Sequence, residues 1–377
     1  MRIADYFEIS AGRAPQREAF VDGERRIDYA TSLKFVHAVA NALARDPDIP
    51  AGAHIGVFSP NNAFVSLLQL GINRSDRAWV LVHTRNSAET NAAVLKHADT
   101  RLVFFHSAFA PAVSVMRAAL PAETKFVCID RDSEFGPFLD NWLEGCWSPF
   151  PATQEDAMAN AFLVPTGGTT GPTKIVVHTF RSAEMGMLAV TGALSINAES
   201  KHLVIAPLTH AAGFFALSFV MNGGTNVILP GFDIEQVLAT IERERITHVY
   251  FPPTAVYALL AHPATRRTDL SSLKCILVGG APTAPAKFKE AVSVFGPIIY
   301  EGYGQTETQA PITLKRPADC IGPDGDFDEA ALRSAGKPWF FARIEIMDAN
   351  GRILPPNEPG EIVVLSSMVM KGYYKMP

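Results

Sequence analysis

The sequence predicts an α/β protein with two doubly wound, mostly parallel sheets, flanking helices and a small antiparallel β unit at its C-terminal end. Short, continuous apolar runs alternate with stretches of helical periodicity in both halves of the chain. Continuous apolar runs are typical of parallel strands that helices cover on both faces. After Gln309 apolar and polar residues alternate instead, as they do in antiparallel strands.

The first α/β series lies between residues 54 and 129. Strands are predicted at 54–58, 79–82, 101–105 and 125–129, and helices over 62–71 and 87–98. This alternation of strands and helices is the pattern of a doubly wound unit.

A second series starts near His202 and has the same character. Strands are predicted at 226–229, 248–251, 275–278 and 298–300. Asp233 precedes one of the helices between them, and Gln236 follows three residues later, which is the spacing of a capping box.

The segment after Gln309 predicts the small antiparallel unit. Residues 343–347 and 361–365 both have strand character, and a turn sequence at 348–351 follows the first of them. Two such segments separated by turn residues indicate a β-hairpin.

Composition and charge exclude several classes of protein. With 377 residues, 48% hydrophobic and 19% charged, the chain is too apolar for intrinsic disorder and long enough for two or three compact units. Its net charge of −5 argues against a nucleic-acid-binding surface, which needs clustered Lys and Arg. The four cysteines form no CxxC pair, and the sequence has neither a signal peptide nor an apolar stretch of membrane-spanning length. We therefore expect a cytoplasmic protein without a disulfide framework, a structural zinc site or a transmembrane segment.

A run of glycines and threonines at 166–174 has the composition of a phosphate-binding loop. Its candidate ligand residues are Thr166, Gly167, Gly168, Thr169, Thr170, Gly171 and Lys174. Glycines let backbone amides approach a ligand closely, and amides together with a lysine match a polyphosphate. The run is not a Walker A loop, since Lys174 leads into a predicted strand rather than a helix. A glycine-rich hairpin turn explains these residues equally well.

Two further segments follow predicted strands, where open α/β sheets bind their ligands. In segment 302–307, Tyr303 can stack on a base, Thr306 can donate to a phosphate and Glu307 can hold a hard cation. Segment 279–282 reads Gly-Gly-Ala-Pro. Taken singly, each feature also has an ordinary explanation: a packed aromatic, a solvated carboxylate, or a strand-to-helix turn.

Together these segments resemble the motifs of the adenylate-forming, or AMP-binding, superfamily. That superfamily includes acyl- and aryl-CoA ligases, adenylation domains of nonribosomal peptide synthesis and luciferase-like enzymes. Segment 166–174 resembles its phosphate loop, and 303–307 resembles its Tyr-Gly-x-Thr-Glu motif. Further segments extend the resemblance over nearly the whole chain, at 22–29, 52–57, 60–61, 336–338, 348–356, 360–361 and 371–374.

The resemblance implies that ATP activates a carboxylic acid to acyl-AMP with release of pyrophosphate, and that the acyl group then passes to CoA. The loop 166–174 would hold the β- and γ-phosphates, Thr306 would contact the α-phosphate and Glu307 would bind Mg²⁺. Residues implied to enclose adenine are Gly280, Ala281, Pro282, Glu301, Gly302, Tyr303 and Gly304. Those implied to be catalytic are Lys174, His210, Thr306 and Glu307.

Residues 207–215 resemble the segment that lines the acid pocket in this family. The implied pocket residues are His210, Gly213, Phe214, Phe215 and Thr308. No carboxylate occurs between Ile205 and Asn222, which disfavours an amino acid, because a substrate ammonium would need one nearby. A fatty, aliphatic or aromatic acid is favoured, although the same side chains also fit plain packing in a core.

Four features depart from the family pattern. Gly167 stands where serine is usual, Pro172-Thr173 where the pattern has x-Pro, Ile175 where glycine is common, and Glu301 where an amide side chain is usual. The chain also stops before the aspartate, the hinge and the lysine-bearing mobile domain that family members carry. We therefore expect a large N-terminal domain, poorly active alone, with subregions at about 50–200, about 1–49 with 201–308, and about 309–377. Two alternatives stay open: transfer to a carrier-protein thiol, and a non-catalytic nucleotide-binding domain.

Overall fold

The computed structural model describes residues 1–154, 156–166, 174–309 and 311–376. Its α-helices are α1 (Ile3–Arg13), α2 (Tyr29–Arg45), α3 (Ala63–Arg74), α4 (Ala88–His97), α5 (Ala110–Ala119), α6 (Leu139–Trp142), α7 (Phe180–Leu194), α8 (Ala211–Met221), α9 (Ile234–Glu244), α10 (Pro253–Ala261), α11 (Pro285–Phe295) and α12 (Glu329–Arg333). Its strands are β1 (Glu18–Asp22), β2 (Arg25–Asp28), β3 (His54–Phe58), β4 (Ala78–Leu81), β5 (Thr100–Phe105), β6 (Lys125–Cys128), β7 (Asn160–Pro165), β8 (Ile175–Thr179), β9 (Lys201–Val204), β10 (Thr225–Ile228), β11 (His248–Phe251), β12 (Cys275–Gly279), β13 (Ile299–Tyr303), β14 (Thr313–Lys315), β15 (Lys337–Pro338), β16 (Arg343–Met347), β17 (Glu361–Leu365) and β18 (Gly372–Tyr373).

One sheet has seven strands in the order β18–β8–β7–β4–β3–β5–β6. The strands from β7 to β6 run parallel, whereas β8 is antiparallel to both of its neighbours, β7 and β18. The four apolar runs predicted between residues 54 and 129 are β3 to β6, and the two predicted helices are α3 and α4. The first doubly wound series is therefore confirmed.

The second sheet has nine strands in the order β15–β14–β13–β12–β11–β9–β10–β1–β2. Its strands are parallel from β13 through β1, and the strands at both margins are antiparallel. The predicted cap of α9 is present, because the amide of Gln236 donates to Asp233 Oδ1 over 2.9 Å. The N-terminal hairpin of β1 and β2 joins this sheet through the pairing of β1 with β10.

The predicted hairpin near the C-terminus is the separate two-stranded sheet of β16 and β17, paired from Arg343 with Leu365 to Met347 with Glu361. The remaining strands after Gln309 join the larger sheets. Strands β14 and β15 extend the nine-stranded sheet beside β13, and β18 pairs with β8 in the seven-stranded sheet. The predicted unit 309–377 is therefore distributed over three sheets. After β13 the chain turns back and pairs β14 with it, and strands β16 to β18 form the separate hairpin or join β8.

The two large sheets share one interior. The largest group of packed apolar side chains includes Trp79 of the seven-stranded sheet and Leu277 of the nine-stranded sheet. Helix α8 contributes to this interior, and its side chains from Ala212 to Met221 are all buried, as expected for a helix that is apolar around its whole circumference. Of the helices in the described ranges, none combines the length and the apolarity that crossing a bilayer requires.

Candidate functional site

The two strand-end segments singled out from the sequence lie next to each other. Strands β12 and β13 are parallel neighbours, and Gly279 at the end of β12 is paired with Gly302 in β13. Because both strands end at the same edge of the sheet, segments 279–282 and 302–307 emerge side by side. The topology therefore brings the two glycine-containing turns to one place.

The turn after β12 requires a glycine and rests on a buried ion pair. Gly280 has a φ of +85°, a conformation that residues with a Cβ rarely adopt. Beneath the turn, Glu301 accepts a hydrogen bond from the amide of Thr283 over 3.4 Å. The ammonium of Lys315 lies 3.0 Å from the other oxygen of the same carboxylate and also donates to two backbone carbonyl oxygens, those of Leu332 and Ser334. Glu301 and Lys315 are 7% and 2% exposed, so the pair braces the turn from inside the fold.

A cavity of about 300 Å³ opens beside these turns. It is bounded on one side by backbone of the two turns and on the other by aromatic and aliphatic side chains. The residues that line it are Trp79, Leu81, Phe162, Val164, His178, His210, Phe214, Phe215, Tyr250, Leu277, Val278, Gly279, Gly280, Gly302, Gly304, Gln305, Thr306, Gln309 and Pro311. None of these described lining residues is Asp, Glu, Lys or Arg, so the cavity suits an apolar group held near a polar rim.

His210 lies in the cavity wall directly before α8. Its ring is edge-on to that of His83, with 5.2 Å between ring centroids. Burial lowers the pKa of His210, and the neighbouring His83 lowers it further, so the imidazole is neutral near pH 7. Three residues on, Gly213 allows a close backbone approach, because a Cβ there would lie 2.0 Å from the carbonyl oxygen of Leu208.

The candidate phosphate loop connects β7 to β8, which form an antiparallel hairpin. At its base, the amide of Thr166 donates to the carbonyl oxygen of Lys174 over 2.8 Å. The predicted ligand residues Gly167, Gly168, Thr169, Thr170 and Gly171 lie outside the described residues. As predicted, Lys174 leads directly into a strand, so the hairpin geometry differs from that of a Walker A loop.

Lys174 and Glu307 both contact the side chain of Tyr373. The ammonium of Lys174 lies 4.9 Å from the centroid of the Tyr373 ring, within the range of a cation–π contact. The hydroxyl of Tyr373 donates to Glu307 Oε1 over 2.8 Å, and this hydrogen bond raises the pKa of the phenol. A lysine and a carboxylate that are 133 positions apart in the sequence are therefore connected through one ring.

The predicted residues separate into two groups around the cavity. Those that line it are Gly280, Gly302, Gly304, Thr306, His210, Phe214 and Phe215. Those that lie outside its wall are Thr166, Lys174, Gly213, Ala281, Pro282, Glu301, Tyr303, Glu307 and Thr308. In the second group, Ala281, Pro282 and Tyr303 are exposed on the two turns, whereas Thr308 is buried and its hydroxyl donates to the carbonyl oxygen of Gln305.

Sequence reasoning missed several residues of the cavity wall, namely Trp79, Phe162, His178, Tyr250 and Gln309. Tyr250 had a usable signal, because it lies in a predicted strand parallel to and beside β12 and near its carboxyl end. Trp79 and Phe162 face each other across paired strands, with ring centroids 4.9 Å apart. Gln309 has a φ of +66°, which is unusual for a non-glycine residue and has no signal in the sequence.

Glu307 has the chemistry of a magnesium ligand. Mg²⁺ is usually held by one or two carboxylates together with substrate phosphates, rather than by an all-protein cage. Among the described residues, no group of three or more His, Cys, Asp or Glu is arranged to hold a metal ion. A single carboxylate connected through Tyr373 to Lys174 fits that mode of binding.

The sequence matches the profile of the AMP-binding enzyme family over residues 7–374. The chain is 34% identical over 260 residues to the medium/long-chain-fatty-acid–CoA ligase FadD8 of Mycobacterium tuberculosis, covering 68% of this chain and 43% of that relative. It is 30% identical to a feruloyl-CoA synthase of Amycolatopsis sp., covering 97% of this chain and 70% of that relative. The chain thus spans less than half of the first relative and 70% of the second.

A solved structure agrees with the sequence matches. The amide bond synthetase McbA of Marinactinospora thermotolerans superposes with a TM-score of 0.88 at 26% identity, covering 100% of this chain and 72% of that one. The profile spans nearly all of the chain, and CoA ligases recur among its relatives. The chain belongs to the AMP-binding enzyme family.

Proposed function

We propose that this chain contributes the nucleotide- and acid-binding site of an enzyme that uses ATP to convert a carboxylic acid to acyl-AMP, which is then transferred to CoA. One observation carries the proposal: Lys174 and Glu307 converge on Tyr373, next to a cavity whose polar rim includes Thr306. Cation, carboxylate and hydroxyl are the groups that a magnesium-bound triphosphate needs. The CoA ligases among the relatives support the reaction class.

In the first half-reaction, a carboxylate oxygen of the acid attacks the α-phosphorus of ATP. A new P–O bond forms, the bond from the α-phosphorus to the bridging oxygen of the β-phosphate breaks, and pyrophosphate leaves with that electron pair. Two anions must approach each other, so fixed donors and cations supply most of the rate enhancement. Lys174 would neutralise the β- and γ-phosphates, and the Thr306 hydroxyl would donate to the α-phosphate.

Glu307 is the residue that would hold Mg²⁺. The ion supplies Lewis-acid stabilisation of charge on the phosphate oxygens. Tyr373 engages only Oε1 of Glu307 in the described contacts, so Oε2 can face a metal while the phenol fixes the orientation of the carboxylate. Adenine would lie along segments 279–282 and 302–304, with Tyr303 available for stacking.

The second half-reaction moves the acyl group from AMP to sulfur. The thiolate of CoA attacks the acyl carbonyl carbon, the mixed anhydride bond breaks and AMP departs. CoA is favoured over a carrier-protein thiol because both relatives described above are named as CoA ligases or synthases. The carrier-protein thiol is the alternative acceptor.

The acid that best fits the cavity is one without an ammonium group. The lining has aromatic walls, including Phe162, Phe214 and Tyr250, and no ionised side chain among its described residues. Such walls stabilise a planar ring or an alkyl chain through apolar burial. His210 and Thr306 provide the polar end at which the carboxylate would lie. An aromatic or aliphatic acid is therefore the proposed substrate.

A single-turnover assay with enzyme in excess tests this proposal. Pyrophosphate and acyl-AMP are measured with ATP·Mg²⁺ and an acid panel that pairs 3-phenylpropanoate with phenylalanine, since the two differ only in the ammonium group. We expect the former, or another acid of its class, to react and phenylalanine to stay inert. Adding CoA or a phosphopantetheinylated carrier then identifies the acceptor.

Two variants sharpen the assay. Lys174→Ala should lower the rate of pyrophosphate release about 100-fold, as expected when a group that stabilises transition-state charge is lost. Lys289→Ala, which removes an exposed lysine paired with Glu329, is the matched control and should react normally. Thermal stabilisation by ATP·Mg²⁺ without pyrophosphate from any acid would favour a non-catalytic nucleotide-binding domain. If neither signal appears, the proposal is wrong.

A further inference from the structure

A buried histidine connects the strand after the phosphate loop to the turn that carries Thr306 and Glu307. His178 lies in β8, four residues after Lys174, and its side chain is buried. Its Nε2 atom lies 2.8 Å from the backbone carbonyl oxygen of Thr306. The two residues are 128 positions apart in the sequence, so the contact exists only in the folded protein.

Chemistry fixes the protonation state of this imidazole. A carbonyl oxygen can only accept, so Nε2 must carry the hydrogen. Burial lowers the pKa of His178 to about 4, and the ring is therefore neutral at physiological pH. Its Nδ1 is then an acceptor and lies 3.3 Å from the hydroxyl of Ser182, while the Phe162 ring packs 5.0 Å away. The imidazole thus has one donor, directed at the turn.

The turn that receives this donor is the 3₁₀ segment Thr306–Thr308. A second connection reaches it from the other side, because the amide of Met370 donates to the carbonyl oxygen of Glu307 over 2.8 Å and Tyr373 holds the carboxylate. Segment 372–373 is itself β18, paired with β8. The turn, the strand after the phosphate loop and the last described strand are therefore one hydrogen-bonded unit, and His178 is the buried side chain at its centre.

We propose that His178 is a positioning residue, which sets the turn bearing Thr306 and Glu307 at a fixed distance from Lys174 and strand β8. This inference rests on the proposed function, since it gives that turn its role in adenylation. Displacement of a reacting group by about 1 Å can cost on the order of 100-fold in rate. His178 also lines the cavity that we propose for the acid, so this one residue would act on the nucleotide-binding part of the same site.

The test compares two substitutions of His178 with a matched control. His178→Leu removes the donor and keeps an apolar side chain, whereas His178→Gln retains an N–H that can reach the carbonyl oxygen. The control is His202→Leu, which removes an equally buried and equally neutral histidine that contacts Asn226 rather than the turn. Single-turnover pyrophosphate release, the KM for ATP and the thermal midpoint are measured for all three variants.

We expect His178→Leu to lower kcat about 10- to 100-fold while the KM for ATP rises only several-fold, because the turn acts mainly in the transition state. His178→Gln should recover most of that loss, and His202→Leu should lower the thermal midpoint while leaving kcat unchanged. If His178→Leu only destabilises the protein, as the control does, the positioning role is wrong although the proposed function stands.

A spectroscopic measurement keeps the inference testable even if no acid reacts. In protein labelled with ¹⁵N at histidine, the His178 signal, assigned by its loss in His178→Gln, should be that of the neutral Nε2–H tautomer at pH 7. ATP·Mg²⁺ should bind several-fold more weakly to His178→Leu, whereas ATP without metal should not. An Nδ1–H tautomer, or equal binding with and without metal, overturns the inference; absent pyrophosphate with wild-type protein counts only against the proposed function.

Discussion

Lowering the pH from 7 to 5 should destabilise this protein through histidines that are buried in their neutral form. Burial lowers the pKa of both His178 and His202 to about 4, from an ordinary value of 6.5. His202 is enclosed by Asn226, whose Oδ1 lies 2.9 Å from Nδ1, and by the Phe219 ring stacked at 4.4 Å. The nearby His248 opposes its protonation further.

The sign of the effect follows from the order of the two pKa values. Because the folded pKa is the lower one, the unfolded chain takes up more protons as the pH falls. The stability is therefore almost fully present at pH 7 and above, and it is lost progressively toward pH 4. Relative to high pH, each such histidine lowers the free energy of unfolding by about 0.2 kcal/mol at pH 7 and by about 2 kcal/mol at pH 5. The two histidines together therefore lower it by about 4 kcal/mol between pH 7 and pH 5. The carboxyl of Asp130 titrates below this pH window. Burial raises its pKa, but hydrogen bonds with Ser107 outweigh that effect, and the pKa is lowered to about 2.

Urea unfolding at pH 7, 6 and 5 and constant ionic strength measures this loss. The control variant is His202→Gln, which keeps a polar group opposite Asn226 but does not titrate. We expect the wild-type free energy of unfolding to fall by at least about 4 kcal/mol, since other buried histidines with a lowered pKa add to the loss, and that of the variant to fall by about 2 kcal/mol less. A wild-type stability that is flat from pH 7 to 5, or an equal loss in both proteins, would refute the reasoning.

Three other substitutions probe the site and its support. Glu307→Gln should raise the Mg²⁺ concentration needed for thermal stabilisation by ATP at least about 10-fold, since it weakens the proposed metal ligand; an unchanged requirement contradicts that role. Tyr303→Ala should weaken ATP about 2- to 10-fold relative to tripolyphosphate in competition titrations, and equal losses would exclude stacking on adenine. Lys315→Met should lower the free energy of unfolding by about 3–5 kcal/mol because Glu301 is left buried without its cation. Adding Glu301→Gln should recover at least half of the lost free energy of unfolding. If Lys315→Met alone leaves the urea midpoint unchanged, the ion pair is unimportant for stability.

Much of the fold could be predicted because parallel strands that are buried on both faces are uninterrupted apolar runs. The runs that became β3 to β6 and β10 to β13 illustrate this, as does the cap at Asp233. That the glycine turns at the ends of β12 and β13 lie side by side could be predicted because both follow strands at the carboxyl edge of one sheet. Local pattern was sufficient for these features.

The remaining features depend on contacts between distant parts of the chain. Nothing near His178 in the sequence indicates that its donor reaches Thr306, and nothing near Tyr373 indicates its contact with Glu307. In the sequence Lys315 is an ordinary polar residue of a short strand, yet the fold buries it. Such contacts arise when separate sheets pack together, so no local pattern encodes them.

The pairing of β1 with β10 has a consequence for how the protein is made. Phe20 lies opposite Asn226, about 200 residues further along the chain. At translation rates of about 5–20 residues per second, the ribosome needs on the order of 10–40 s to deliver that partner after the N-terminal hairpin has been synthesised. Throughout that interval the edge of β1, which carries the apolar residues Ala19, Phe20 and Val21, stays open in the nascent chain and can pair with other chains.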